Sequence, residues 1–172
     1  MPGIDENLAF YPLGIAVLTI SDTRTLDTDT SGGLLVERLT AARHKLLDRA
    51  LVKDDIPAIR AQVQCWLKKP EIEIILTTGG TGFSPRDNTP EAIKPLLRRE
   101  MDGFSVAFHQ KSLQAVGVAS MQSRAFAGQA DDGELLDHAA HLLGRDVELV
   151  RRLGERHLAL ADQVRHELQD ER

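Results

Sequence analysis

Cysteine and aromatic residues are scarce in this chain: one Cys, one Trp, one Tyr and five Phe among 172 residues. The single cysteine, Cys65, excludes a disulfide within the chain and fits a reducing compartment. Its helical setting beside Trp66 reads as core filler rather than as a nucleophile. No apolar run approaches the ~20 residues that span a bilayer. The opening Met1 to Glu6 is polar and lacks the basic-then-apolar order of a signal peptide, so a cytoplasmic location is expected, with no membrane partner. There is no basic stripe interleaved with stacking aromatics, which argues against nucleic acid. Repeats and low-complexity linkers are also missing.

What is present is an alternation of apolar runs and amphipathic stretches. Leu13 to Ile20 is nearly all apolar and rich in β-branched residues, as in a strand covered on both faces. Ser31 is positioned to cap a helix over 32–42, with Leu34, Leu35, Leu39 and Ala42 on one stripe. A second strand is expected over 48–52. Asp54 and Asp55 then stand where a helix is capped, with Pro57 in its first turn and Ile59, Val63, Trp66 and Leu67 facing inward as far as Lys68. A third strand covers 72–77, and Thr89, Pro90 and Glu91 start another helix as N-cap, N1 and first-turn acid. Val116 to Ala119 supplies a further short strand. Met101 and Met121 read as packing residues. The β-α-β-α-β-α order predicts a parallel sheet covered by helices, in an α/β class fold.

Between the third strand and its helix lies Thr77-Thr78-Gly79-Gly80-Thr81-Gly82-Phe83-Ser84-Pro85-Arg86-Asp87. Three glycines in four residues let the backbone approach a ligand and aim N–H groups at an anion. No Gly-Lys-Ser/Thr follows, so this is not a Walker A loop. The third glycine of a dinucleotide fingerprint would fall at Pro85. Asp87 has two readings, a turn or capping carboxylate and a ligand for a Mg²⁺ that bridges phosphate oxygens. Asp54 and Asp55 follow the second strand and so share its sheet edge; one caps the helix, or one shares a metal. Asp22, Asp27 and Asp29 follow the first strand and read equally as a solvated loop.

The motif Thr77 to Gly82, then Arg86-Asp87-Asn88-Thr89-Pro90-Glu91-Ala92 and Glu100-Met101-Asp102-Gly103-Phe104, resembles the signature of the MoaB/Mog family of molybdenum cofactor biosynthesis proteins. Ser21-Asp22-Thr23-Arg24 with Asp29 to Gly32, and Val52-Lys53-Asp54-Asp55, are similar to the family pattern as well. Met121 to Gly128 leans toward the MoaB branch, and the likeness spans about residues 12 to 129. It implies a three-layer α/β/α sandwich with a mostly parallel sheet, a homo-oligomer (trimer or hexamer), and molybdopterin and nucleotide as ligands. It also implies adenylylation of molybdopterin by ATP with Mg²⁺, other molybdenum cofactor enzymes being further partners. On that resemblance Asp54 and Asp87 match the catalytic, Mg²⁺-holding aspartates. Thr78, Gly79, Gly80, Thr81 and Gly82 match the phosphate cradle, with Arg86 beside it, and Ser21 and Asp22 match the loop after the first strand.

The last quarter is a different kind of sequence. Residues 1–130 hold 15 acids and 15 bases, so 131–172, with 11 acids and 6 arginines, carries the entire net charge of −5. It has no Ser, Thr, Pro, Lys, Ile or aromatic residue, and its leucines recur at helical spacing. The expected organisation is an α/β domain over 1–130 and an amphipathic helical tail over 131–172 packed on it. His138, His141, His157 and His166 read as solvated helix residues. The family's final strand and its Leu-Pro-Gly turn, one wall of the pterin site, have no counterpart in Asp131 to Leu142. Three readings stay open: a diverged helix covering the sheet edge, a paralogue that binds pterin or acts as a scaffold without catalysis, or a changed reading frame near Gln129.

Overall fold

The computed structural model describes residues 10–130. The tail, its histidines and the boundary at 131 lie outside the described residues. Strand β1 (Gly14–Ile20) is buried along its whole length because it is the central strand of a parallel sheet ordered β2-β1-β3, with β2 at Lys45–Val52 and β3 at Ile74–Thr78. Successive side chains of β1 go to opposite faces. Ile15 and Val17, with Leu13 just before the strand, pack on Leu35 and Leu39 of α1 (Thr30–Ala41). Ala16, Leu18 and Ile20 pack on Ile59, Val63 and Trp66 of α2 (Ile56–Leu67) and on Ala92 and Ile93 of α3 (Thr89–Ile93). Two half-cores with one strand between them make the expected three-layer α/β/α arrangement. They also explain why β1 reads as an unbroken apolar run.

The chain then leaves this sheet. A 3₁₀ turn, Lys94–Leu96, leads into β4 (Leu97–Glu100), helix α4 (Asp102–Val116), a second 3₁₀ turn at Gly117–Gln122, and β5 (Gly128–Ala130), which pairs antiparallel with β4. No helix among the described residues is long and apolar enough to cross a membrane.

Several local expectations are corrected. No strand forms at Val116 to Ala119: α4 ends there, and Gly117 adopts φ +64, as a helix-terminating glycine does. Asp29, not Ser31, caps α1, accepting from Gly32 N–H at 2.9 Å, and it is buried rather than solvated. Asp55 caps α2 through Ala58 N–H at 3.1 Å. Thr89 opens α3 without capping it; its hydroxyl reaches back to the Gly79 carbonyl at 2.8 Å. Strand β2 begins at Lys45, three residues before the expected start, and Leu46 and Leu47 in that added stretch are exposed. Cys65 is exposed, since the inward stripe of α2 runs through Ile59, Val63 and Trp66 and leaves its neighbour about 100° away. Met101 and Met121 are exposed too.

Candidate functional site

All three parallel strands end at one edge. Helix α1 leaves β1 toward one face of the sheet, while α2 and α3 lie on the other, so the connections after β1 and β3 diverge. That divergence opens the crevice in which α/β sheets bind ligands. Backbone and side chains stitch the three end loops together. Ser21 N–H donates to the Val52 carbonyl at 2.9 Å. Asp54 N–H donates to Asp22 Oδ1 at 3.1 Å. Asn88 N–H donates to Asp54 Oδ1 at 2.8 Å, and its amide Nδ2 donates to the Asp54 carbonyl at 3.1 Å. The Ser21 hydroxyl closes its own turn, accepting from Arg24 N–H at 3.2 Å.

The glycine loop is held by its carbonyls. Gly79 O accepts from the Thr89 hydroxyl and Gly80 O from Thr89 N–H, at 2.8 and 3.0 Å. Thr81 O accepts from Arg124 N–H and Gly82 O from Arg124 Nε, both at 2.8 Å. No N–H of residues 79–82 donates to another described residue. A loop with its carbonyls tied back and its amides open can cradle an anion. Only glycine fits two of these positions. Gly79 and Gly80 have φ +100 and +61, and a Cβ would stand 2.1 Å from the Ile20 carbonyl at the first and 2.4 Å from Asp54 Oδ2 at the second.

Asp87 borders the same loop. Its Oδ2 accepts from Ser84 N–H at 2.8 Å, as a turn carboxylate does, and lies close against Gly82. Burial raises the titration of Asp54, and the nearby charges of Asp87 and Asp22 raise it further, against the Asn88 hydrogen bonds that lower it. The Asp22 and Asp87 charges therefore reach Asp54. Among the described residues no group of three or more His, Cys, Asp or Glu side chains is placed to hold a metal ion. A cation here would rest on two carboxylates and complete its shell with phosphate oxygens and water, which is usual for Mg²⁺.

Of the residues singled out from sequence, Ser21, Asp22, Asp54, Thr78, Gly79, Gly80, Thr81, Gly82 and Asp87 converge on this edge. Arg86 is exposed; its N–H bonds Ser84 Oγ and its carbonyl accepts from Asn88, and its guanidinium makes no hydrogen bond among the described residues. Sequence reasoning overlooked Asn88 as the anchor of Asp54, and Thr89 and Arg124 as the anchors of the glycine loop. They sit inside quoted motifs, but their partners are far along the chain.

Residues 16–134 match the family described as a probable molybdopterin binding domain. Molybdenum cofactor biosynthesis protein B of Escherichia coli K12 is 43% identical over 122 residues, covering 71% of this chain and 72% of its own. The corresponding protein of Halalkalibacterium halodurans is 45% identical over 120 residues, 67% of this chain and 68% of its own. In three dimensions, a crystal structure of molybdenum cofactor biosynthesis protein B superposes with a TM-score of 0.68 at 34% identity, covering 91% of this chain and 99% of that one. The tungsten cofactor synthesizing protein MoaB from Pyrococcus furiosus superposes with 0.61 at 27% identity, covering 86% and 99%. The chain belongs to the MoaB/Mog family of molybdenum cofactor biosynthesis proteins.

Proposed function

We propose that this protein binds molybdopterin and adenylylates it with ATP, with Mg²⁺ held between Asp54 and Asp87. The observation that carries this reading is the Gly79 to Gly82 loop, whose four carbonyls are tied back while its four amides make no hydrogen bond among the described residues, at the sheet edge beside Asp54 and Asp87. In the reaction a terminal phosphate oxygen of molybdopterin attacks the α-phosphorus of ATP. One P–O bond forms, the α–β anhydride bond breaks, and pyrophosphate leaves. Bringing phosphates together needs donors that offset negative charge, and preorganised amides supply them without reorganising. Asn88 orients Asp54 through its N–H, and Ser84 N–H orients Asp87. Asp54 and Asp87 would hold the Mg²⁺, whose charge would offset that of the phosphate oxygens. The two carboxylates fit that role better than acid–base work, since the Asp54 carboxylate is repelled by Asp22 and Asp87 and gains most from a cation.

The family resemblance carries a homo-oligomer, trimer or hexamer, and the exposed apolar side chains Val106, Leu113, Val118 and Met121 are candidates for its contacts. Light scattering after size exclusion reads the assembly directly. The catalytic test is incubation with molybdopterin, ATP and Mg²⁺, followed by assay of pyrophosphate and adenylylated pterin. Asp87→Asn is expected to abolish turnover with an unchanged circular dichroism spectrum; full turnover in that variant refutes the role given to Asp87. A second reading, a pterin-binding or scaffold subunit without turnover, is favoured by the absence of a Pro-Gly turn from residues 131–142. Pterin and nucleotide binding without product would establish it over the first.

A further inference from the structure

Arg124 lies outside the three sheet-edge loops, yet it holds the second half of the glycine loop and the Asp87 carbonyl together. It follows the 3₁₀ turn after α4, and its own N–H holds the Thr81 carbonyl. Its Nε holds the Gly82 carbonyl at 2.8 Å and one terminal nitrogen holds the Asp87 carbonyl at 2.6 Å. The other terminal nitrogen pairs with the Glu91 carboxylate, and the guanidinium lies over the Phe83 ring, 5.6 Å from its centroid. The residue before it is fixed as well. The His109 ring of α4 lies between two carbonyl oxygens, that of Ser105 at 2.7 Å and that of Ser123 at 2.8 Å.

We propose that Arg124 is a positioning residue: it turns the amides of Gly82 and Phe83 outward and fixes where the Asp87 carboxylate stands. Rotating a peptide plane to point its N–H at an anion points the preceding carbonyl the other way, and that carbonyl then needs a donor. Thr89 supplies the donors for the first half of the loop and Arg124 those for the second half. The Asp87 carbonyl is anchored by the same guanidinium, so its side chain departs from a fixed point. A planar group with five donors in a fixed fork spans Gly82, Asp87 and Glu91 at once, whereas an ammonium on a flexible stem does not. Glu91 orients the fork. Its carboxyl titrates below the usual range, first through the Arg124 hydrogen bond.

The inference rests on the phosphate-loop reading, but its test reads the unliganded protein. Amide hydrogen exchange is followed in the parent and in Arg124→Gln and Arg124→Lys. Exchange at the hydrogen-bonded amides of Ser84, Arg86, Asp87 and Asn88, with Ser84 N–H reporting the Asp87 carboxylate directly, is expected to rise about tenfold or more in Arg124→Gln. Amides of β1 and α2 should keep their parent rates, and Arg124→Lys should recover only part of the loop's protection. Unchanged loop exchange in Arg124→Gln overturns the proposal. So does an equal loss of protection in β1 and α2, which would make Arg124 a general stabiliser. If Arg124→Gln does not fold, Glu91→Gln carries the test, a few-fold local rise supporting the clamp and parent-like rates refuting it. Titration of the parent with ATP and Mg²⁺ separates the two readings: a loosened loop in the variant with no nucleotide bound by the parent keeps the clamp and removes the proposed activity.

Discussion

Asp29 and Asp54 both stand near the carboxyl edge of the sheet, and their surroundings differ in one respect. Burial pushes the Asp29 carboxyl up, but the Thr19 hydroxyl at 2.6 Å, Gly32 N–H at 2.9 Å and the Arg49 guanidinium at 2.9 Å outweigh it and hold it below the usual range. Asp54 is pushed up by burial and again by Asp87 and Asp22, outweighing the Asn88 hydrogen bonds, and its hydrogen-bond partners among the described residues, Asp22 and Asn88, include no cation. The comparison separates two uses of one residue type. Asp29 has all its partners inside the fold and is spent on structure: it caps α1 and anchors the loop after β1. Asp54 is left in electrostatic deficit, and in a sheet-edge crevice that deficit is what a ligand or cation would relieve.

The contrast can be broken most forcefully by truncation. Asp29→Ala strips the half-buried Arg49 of its partner and uncaps a helix, which should cost about 2 kcal/mol or more in urea unfolding, against far less for Asp54→Ala. Equal costs would end the distinction. Next in size is Gly80→Ala, whose Cβ would fall 2.4 Å from both Asp54 Oδ2 and Thr89 Oγ1 on a backbone with φ +61. It should destabilise by about 1–2 kcal/mol and weaken ATP–Mg²⁺ binding more than its effect on stability implies. Calorimetric titration beside thermal melts separates the two effects.

Acid titration sharpens the comparison, since the two signs are opposite. The lowered Asp29 value gives stability that is fully present above the ordinary 3.8 and lost as pH falls through the folded value. Melting profiles of Asp29→Asn should therefore be flatter than the parent's in strong acid. The raised Asp54 value has the reverse sign: stability falls as pH rises from 3.8 through the folded value, and the full cost is present at neutral pH. Asp54→Asn retains an oxygen for the Asn88 N–H and should melt a few degrees higher than the parent at pH 7 while losing turnover. A lower melting temperature would show Asp54 to be structural after all. The smallest effect is expected for Leu113→Ala on the exposed side of α4, within about 0.5 kcal/mol for the isolated subunit. A larger loss would place that face in a subunit contact.

The two half-cores were legible in the sequence because period fixes which side chains share a face. The alternation along β1 and the stripe of Ile59, Val63 and Trp66 on α2 are local patterns, and the structure follows them. Cys65 was misread because adjacency to a buried tryptophan on a helix means a neighbouring face, not the same one. Asp29 was misread because a Thr- and Asp-rich loop looks solvated until Arg49, twenty residues on, is brought against it. The strand expected at Val116 to Ala119 failed because two valines beside a glycine have no neighbouring strand to complete them.

By itself, then, the sequence determined the parallel α/β order, the glycine-rich loop, and the presence of Asp54 and Asp87 after strands. These follow from periodicity, from the backbone freedom of glycine, and from the rule that such loops gather at one sheet edge. Only the tertiary structure decided which carboxylates are neutralised and which are left in deficit, and that Arg124, forty-two residues beyond Gly82, holds the glycine loop. Hydrogen bonds and charges act over a few ångströms of space, and separation along the chain does not record which groups folding brings that close.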